Sequence, residues 1–360
     1  MEGYSASTFA YYFLSLFIEG VPYILLGTLI SGFIDVYMPA RSFERFLPKN
    51  RVMAVLVSGF LGLILPVCEC AVVPVIRRLL AKGLPLGCAF TYMLAAPIVN
   101  GITMFSTWTA FQGQGAWYMM FSRIGLGYLV AVLVGVVLLR VPAPWVLKRS
   151  LAKGEVKSTC EHEHHEHEEC CHGHHESPQV KHHDHSQCDH DHSDCGHDHS
   201  VDHPKPRVPR VLQALRYGMK DFVEVSVYFS VGVLLTTLFN LAYVDYHEQI
   251  QAYASSELKG TVLLMGLAFL LSVCSTSDAF LAASLGGFSY ASKMAFMVFG
   301  PMLDVKLLFL YQTIMNRRFL VVFSLSLFVL VALLCLLWAQ IDAESLKLLG
   351  SYSMKEVLGC

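Results

Sequence analysis

The chain has 360 residues, of which 54% are apolar and 15% charged, and its mean hydropathy is +0.50. Soluble domains carry roughly 25% charged residues, and several apolar runs here exceed the ~18 residues that mark a membrane span. Composition therefore excludes a soluble globular enzyme and predicts an all-α polytopic membrane protein. The formal net charge of −2 gives no basis for nucleic-acid binding. No Gly-x-x-x-x-Gly-Lys-Ser/Thr or Asp-Lys-Thr-Gly stretch is present, which argues against ATP-driven transport within the chain.

In chain order, the first apolar run covers 9–33 and holds Glu19 beside a candidate kink at Gly20-Val21-Pro22. It lacks a basic leader and a small-residue cleavage site, so it reads as a retained span. A basic loop follows with Arg41, Arg45, Lys49 and Arg51. The run 52–76 contains Leu65-Pro66-Val67-Cys68-Glu69-Cys70-Ala71-Val72-Val73-Pro74, two thiols and a carboxylate bracketed by prolines. Proline removes a backbone donor, so this segment is expected to break near its middle. A broken helix at membrane depth is tolerated only where protein or a cavity surrounds it. The run 84–111 is interrupted at Ala95-Ala96-Pro97-Ile98-Val99-Asn100-Gly101, and 117–139 is another span. After a polar insert come runs at 222–243, 261–288, 294–314 and 319–339, making four on each side of the insert.

The halves echo one another. Glu19 parallels Glu224, Val67-Cys68-Glu69-Cys70 parallels Val273-Cys274-Ser275-Thr276, and Ala96-Pro97-Ile98-Val99-Asn100 parallels Gly300-Pro301-Met302-Leu303-Asp304, at offsets between 204 and 206 residues. Paired Pro/Gly interruptions in two halves point to a transporter site near the bilayer midplane. The expected organisation is a first transmembrane repeat over 1–140, an insert over 141–210, a second repeat over 211–342 and a tail over 343–360. Charge then bears on topology. If all segments cross, Arg41, Arg45, Lys49 and Arg51 face one side and Arg77, Arg78 and Lys82 the other, against the positive-inside tendency. If 52–76 is a re-entrant hairpin, both clusters share a side with the insert and Arg317-Arg318. Each half then has three spans plus a broken segment, and the halves are inverted repeats; four full spans per half is the alternative.

The insert holds 15 of the chain's 16 histidines and five of its 11 cysteines. Its candidate metal ligands are Cys160, His162, His164, His165, His167, Cys170, Cys171, His172, His174, His175, His182, His183, His185, Cys188, His190, His192, Cys195, His197, His199 and His203. It has no apolar periodicity and is expected to be largely disordered without metal. Imidazole and thiolate together suit Zn, Cu or Ni. The spacing is irregular, which favours several exchangeable sites over one closed tetrahedral site. Lys148, Arg149 and Lys153 before it, and Lys205, Arg207 and Arg210 after it, place it on the cytoplasmic side. A metal-capturing segment there fits export.

In the membrane, the candidate substrate or metal residues are Cys68, Glu69, Cys70, Cys274, Asn100 and Asp304, with Glu19 and Glu224 as proton-coupling candidates. Three thiolates suit Cu(I), and thiolates with a carboxylate suit Zn(II). Asn100 also reads as a hydrogen-bond partner for freed backbone. Met93, Met104, Met294, Met297 and Met302 read as packing. At the Cys-Glu-Cys stretch, the Ala-Pro-Ile-Val-Asn segment and their second-half counterparts, the chain resembles the predicted permease family that includes the organoarsenical exporter ArsP, over residues 9–140 and 215–340. The insert resembles that of a subgroup regarded as copper/zinc efflux transporters. The resemblance implies a bacterial inner-membrane, multi-pass efflux permease, and by position it carries over Cys68, Cys70 and Cys274. The expectation is a non-enzymatic, secondary-type permease that requires no cofactor and carries Zn and/or Cu as substrate. The alternatives are export of trivalent organoarsenicals, or a metal sensor or metallochaperone without transport. Expected partners are membrane lipid and metal ions; assembly with further copies of the chain stays open.

Overall fold

The computed structural model describes residues 6–39, 48–64, 68–148, 209–243 and 256–357. The insert ligands Cys160 to His203, the prolyl break at 65–67 and the basic pair Arg41 and Arg45 lie outside the described residues. Among the described residues the chain is helical: α1 (Ala6–Tyr37), α2 (Arg51–Gly59), α3 (Leu61–Ile64), α4 (Glu69–Ala81), α5 (Leu86–Ala95), α6 (Gly101–Ala110), α7 (Ala116–Leu138) and α8 (Ala143–Val146) form the first half. The second half comprises α9 (Arg210–Tyr243), α10 (Glu257–Leu271), α11 (Asp278–Ser284), α12 (Tyr290–Met302), α13 (Val305–Tyr311) and α14 (Arg317–Val357). Five stretches are long and apolar enough to cross a membrane: α1, α7, α9, α12 continued through α13, and α14. An all-α polytopic membrane protein is what the composition predicts. The outer faces remain greasy, as lipid contact requires: Val321, Val322, Leu325, Val329 and Leu333 line one exposed stripe of α14.

Contacts between helices fix their directions. Phe17 of α1 meets Phe229 of α9, Thr28 meets Gly218, and Gly32 meets Ala214, so the first helices of the two halves run antiparallel. Close approach at this crossing needs glycine, because a Cβ on Gly218 would sit 2.9 Å from the Thr28 carbonyl oxygen. At the other edge, the Tyr118 ring of α7 packs at a tilt against Trp338 of α14, with ring centroids 5.9 Å apart. Beyond the far end of α7, Leu147 pairs with Met315, and Asn316 donates to the carbonyls of Pro144, Trp145 and Leu147. The last helices of the two halves are therefore antiparallel too. Two equivalent pairs, each reversed, are the geometry of inverted repeats.

The re-entrant hairpin is present in both halves. Pro48 and Arg51, at the start of α2, and Gly83 and Pro85, after α4, line one cleft, so the 52–76 segment returns to the end from which it entered. In the second half, Thr261 near the start of α10 lies 3.2 Å (Oγ1 to Oγ) from Ser292 just beyond the second arm. That hairpin, α10–α11, therefore also returns to its own starting end. The segment 84–111 crosses as two short helices alongside α7: Gly87 faces Gly135, Ile98 faces Gly127, and Thr107 faces Arg123. Four full spans per half would separate ends that the structure joins.

The basic cluster at the end of α4 is not a free surface patch. Arg78 is 8% exposed and binds Asp221 of α9 through Nε at 3.0 Å and Nη2 at 2.8 and 2.9 Å, and Asp35 of α1 through Nη1 at 3.1 Å. Lys82 lies 3.3 Å from Asp35. The positive-inside count therefore overweights this cluster. Arg77, which pairs with Glu224, lies at the same end near Lys148 and Arg317. Burial, with Arg77 and Arg317 beside it, holds the Lys148 ammonium below the usual lysine range.

If α7 and α14 are antiparallel, cysteines replacing Tyr118 and Trp338 are joined by a short bifunctional maleimide in native membranes, and a 138/338 pair is not. The reverse pattern on a gel would contradict the inverted arrangement.

Candidate functional site

The tips of the two hairpins meet in the interior. Cys68 is the extended residue before α4, and Glu69 and Cys70 open that helix. The Cys70 thiol lies near that of Cys68. Pro74 sits within the helix and cannot donate to the Cys70 carbonyl, which loosens the first turn. On the opposite tip, α10 ends at Ser272 in the left-handed region (φ 49°), and 273–277 run on to α11. A serine there costs about 1–2 kcal/mol and persists because its neighbours fix it. Its Oγ donates to the Phe269 carbonyl and accepts from the Val305 N–H.

Glu69 is 2% exposed and accepts a hydrogen bond of 3.0 Å from the Ser275 hydroxyl. Cys274, the neighbour of Ser275, lies within electrostatic reach of Glu69 and is hydrogen bonded by the Thr276 hydroxyl at 3.6 Å. Tyr23 of α1 lies within electrostatic range of both Cys68 and Cys274. Among the described residues, no group of three or more His, Cys, Asp or Glu side chains could hold a metal ion.

The remaining predicted residues fall into distinct places. Asn100 caps α6: its Oδ1 accepts from the N–H groups of Ile102 and Thr103 at 2.9 Å, and its Nδ2 donates to the Ala96 carbonyl. Asp304 caps α13 in the same way, accepting from Leu307 N–H at 2.7 Å. The equivalent residues of the two halves thus satisfy the donors that a broken helix exposes. Glu19 accepts from Ser277 at 3.4 Å, close to the second tip. Glu224 is bound to Arg77 at 2.9 Å; Arg77 follows Glu69 by eight residues on α4, a rise of about 12 Å. Met93, Met294, Met297 and Met302 are core packing. Cys88 and Cys335 are buried free thiols outside this cluster.

Sequence reasoning missed two buried cations. Lys306 of α13 is 5% exposed, with its Nζ 3.7 Å from Asp304, and interacts electrostatically with Glu69, Cys70 and Cys274. Arg123 of α7 is 1% exposed and donates to Asp278 at 2.6 Å, to the Ser275 carbonyl at 3.1 Å and to Thr107. Ser106 of α6 also donates to the Thr276 carbonyl. Helices of the first half therefore hold the loop that carries Cys274. The available signal was a charged residue in an apolar run, Arg123 alone in 117–139 and Lys306 two residues after Asp304, which at membrane depth marks a site by default.

Removing one partner of a buried ion pair costs about 3–5 kcal/mol, whereas an apolar replacement of both is near neutral. Arg123→Met is therefore expected to lower the detergent melting temperature sharply, and Arg123→Met with Asp278→Leu to recover most of the loss.

No solved structure matches the chain. The UPF0718 protein YcgR of Bacillus subtilis (strain 168) is 32% identical over 323 residues, covering 89% of this chain and 93% of that protein. A Streptococcus mutans protein (serotype c, strain ATCC 700610 / UA159), provisionally named a two-component membrane permease complex subunit, is 28% identical over 326 residues, covering 90% of this chain and 93% of that protein. The family model ArsP_1, described as a predicted permease, matches residues 5–339. The chain, with two opposed hairpins inside a frame of antiparallel spans, belongs to this predicted permease family.

Proposed function

We propose that this permease exports thiophilic metal ions of the Cu/Zn type across the bacterial inner membrane. In this reading the cytoplasmic insert captures metal through its histidines and cysteines, and Cys68, Glu69, Cys70 and Cys274 pass it on. The observation that carries the reading is the meeting of two sulfur-bearing hairpin tips, one from each half, on either side of the Glu69–Ser275 hydrogen bond. The loaded state draws Cys274 toward Cys68 and Cys70 by adjusting that bond. A cargo in transit needs such a movable grip, not the closed shell of a structural zinc site.

Thiol ligation releases protons. Glu69, near the thiols, and Glu19, beside Ser277 at the second tip, accept these protons, which couples exit of metal to the proton gradient. Glu224, engaged by Arg77, is the weaker candidate. In proteoliposomes, metal flux is expected to rise when the acceptor side is made acidic and to lose that dependence in Glu69→Gln. Flux indifferent to an imposed gradient contradicts the coupling.

A second reading, export of trivalent organoarsenicals, is supported by Lys306. A buried ammonium beside the thiols repels a bare cation and leaves a neutral dithiol adduct untouched. The two separate in a deletion strain challenged with Cu, Zn, Cd and methylarsenite, with cell metal measured. Under the metal reading, wild type lowers cell Cu or Zn, Cys68→Ser and Cys274→Ser return it to the deletion level, and removal of 160–203 reduces protection without abolishing it. Under the arsenical reading, only methylarsenite resistance depends on these cysteines.

A further inference from the structure

The cleft that joins the two ends of the first hairpin has a volume of about 430 Å³ and lies at the edge of the membrane-embedded region. Its position follows from its surroundings. The α7 helix ends beside it at Leu138 and α2 begins beside it at Arg51. Trp145, 76% exposed, marks the interfacial level where tryptophan accumulates. Two cations, Lys49 and Arg51, form part of its wall, and among the described residues neither is ion-paired. The opposite wall is apolar, built from Leu86, Leu138 and Leu139. The helix faces that flank it are exposed and apolar too, with Val52 and Met53 on α2 and Val137 on α7. The first turn of α2 lends its unpaired N–H groups to the same corner, since Asn50 makes no side-chain cap.

We infer that this cleft is a binding site for an anionic phospholipid, its phosphate held by Lys49 and Arg51 and its acyl chain laid along Leu138 and Leu139. A basic pocket between membrane helices, backed by a greasy wall, is complementary to a charged headgroup attached to a chain. A free phosphate satisfies only the charged half of the cleft, and a zwitterionic lipid brings its own ammonium to two protein cations. An occupant contacts the chain on both sides of the hairpin, at Arg51 and at Leu86. Lipid binding therefore braces the base of the element whose tip carries Cys68 and Cys70. The site is separate from the sulfur-lined one and does not depend on the proposed cargo.

The test uses the purified full-length protein in detergent, titrated with phosphatidylglycerol or phosphatidylethanolamine and read by native mass spectrometry. Two interfacial cations at about 1 kcal/mol each predict a preference of roughly thirty-fold for phosphatidylglycerol. Lys49→Gln with Arg51→Gln is expected to erase that preference. Ala143→Phe keeps both cations and fills the cleft, and is expected to remove tight binding of phosphatidylglycerol altogether. Arg140→Gln, a neighbouring cation that does not line the cleft, is expected to leave binding unchanged. Equal binding of the two lipids overturns the proposal. So does an undiminished preference in either cleft variant, or displacement of phosphatidylglycerol by millimolar inorganic phosphate, which would make the cleft a simple anion site.

Discussion

Glu69 and Ser275 are 206 residues apart, the interval at which the chain repeats itself, and they share a hydrogen bond of 3.0 Å. In two halves related by a two-fold axis, a residue can touch its own counterpart only near that axis. The bond therefore locates the centre of the molecule and ties two otherwise separate hairpins together there. Around it, α1 and α9 cross antiparallel on one side and α7 and α14 on the other. The described backbone at the tips, extended at Cys68 and irregular over 272–277, is of a kind that lipid would not tolerate and that the surrounding helices enclose. Asn100 and Asp304 complete the scheme by satisfying donors freed where the neighbouring crossings break.

Charge does not follow the repeat. Asp304 has Asn100 as its counterpart, and Lys306, two residues on, corresponds to Ile102, which is 58% exposed. Arg78 and Arg123 likewise have no cation at the equivalent positions of the second half, 204 to 206 residues on. A buried ion costs several kcal/mol unless paired and hydrogen bonded, so residues kept at that cost in one half alone are not demanded by the common fold. Arg123 and Asp278 hold the Cys274 loop against α7, and Lys306 sets the electrostatic environment of the thiols. These differences turn a symmetric frame into a site with a distinct second tip.

Much of this frame was legible in the chain. Proline, glycine and small polar residues at matching intervals marked the breaks, since each removes or competes for a backbone hydrogen bond, and the breaks at 96–100 and 303–304 fall where those residues stand. The hairpins were legible only indirectly, through the improbability of placing two basic clusters on opposite sides. Arg78 belongs to one of those clusters, yet its charge is taken up internally by Asp221 and Asp35. Partners such as Arg123 with Asp278, 155 positions apart, follow no local period, and only the folded chain brings them together.

The ion cluster of Arg78 has a further consequence. Two perfectly matched halves of opposite orientation would make the inward-facing and outward-facing forms of a carrier equal in free energy, because each is the other with the halves exchanged. Arg78 ties α4 to α1 and α9 at one end of the molecule, and the other end holds no matching knot among the described residues. Such one-sided fastening lifts that degeneracy, and in a carrier of this kind it would favour one resting orientation over the other.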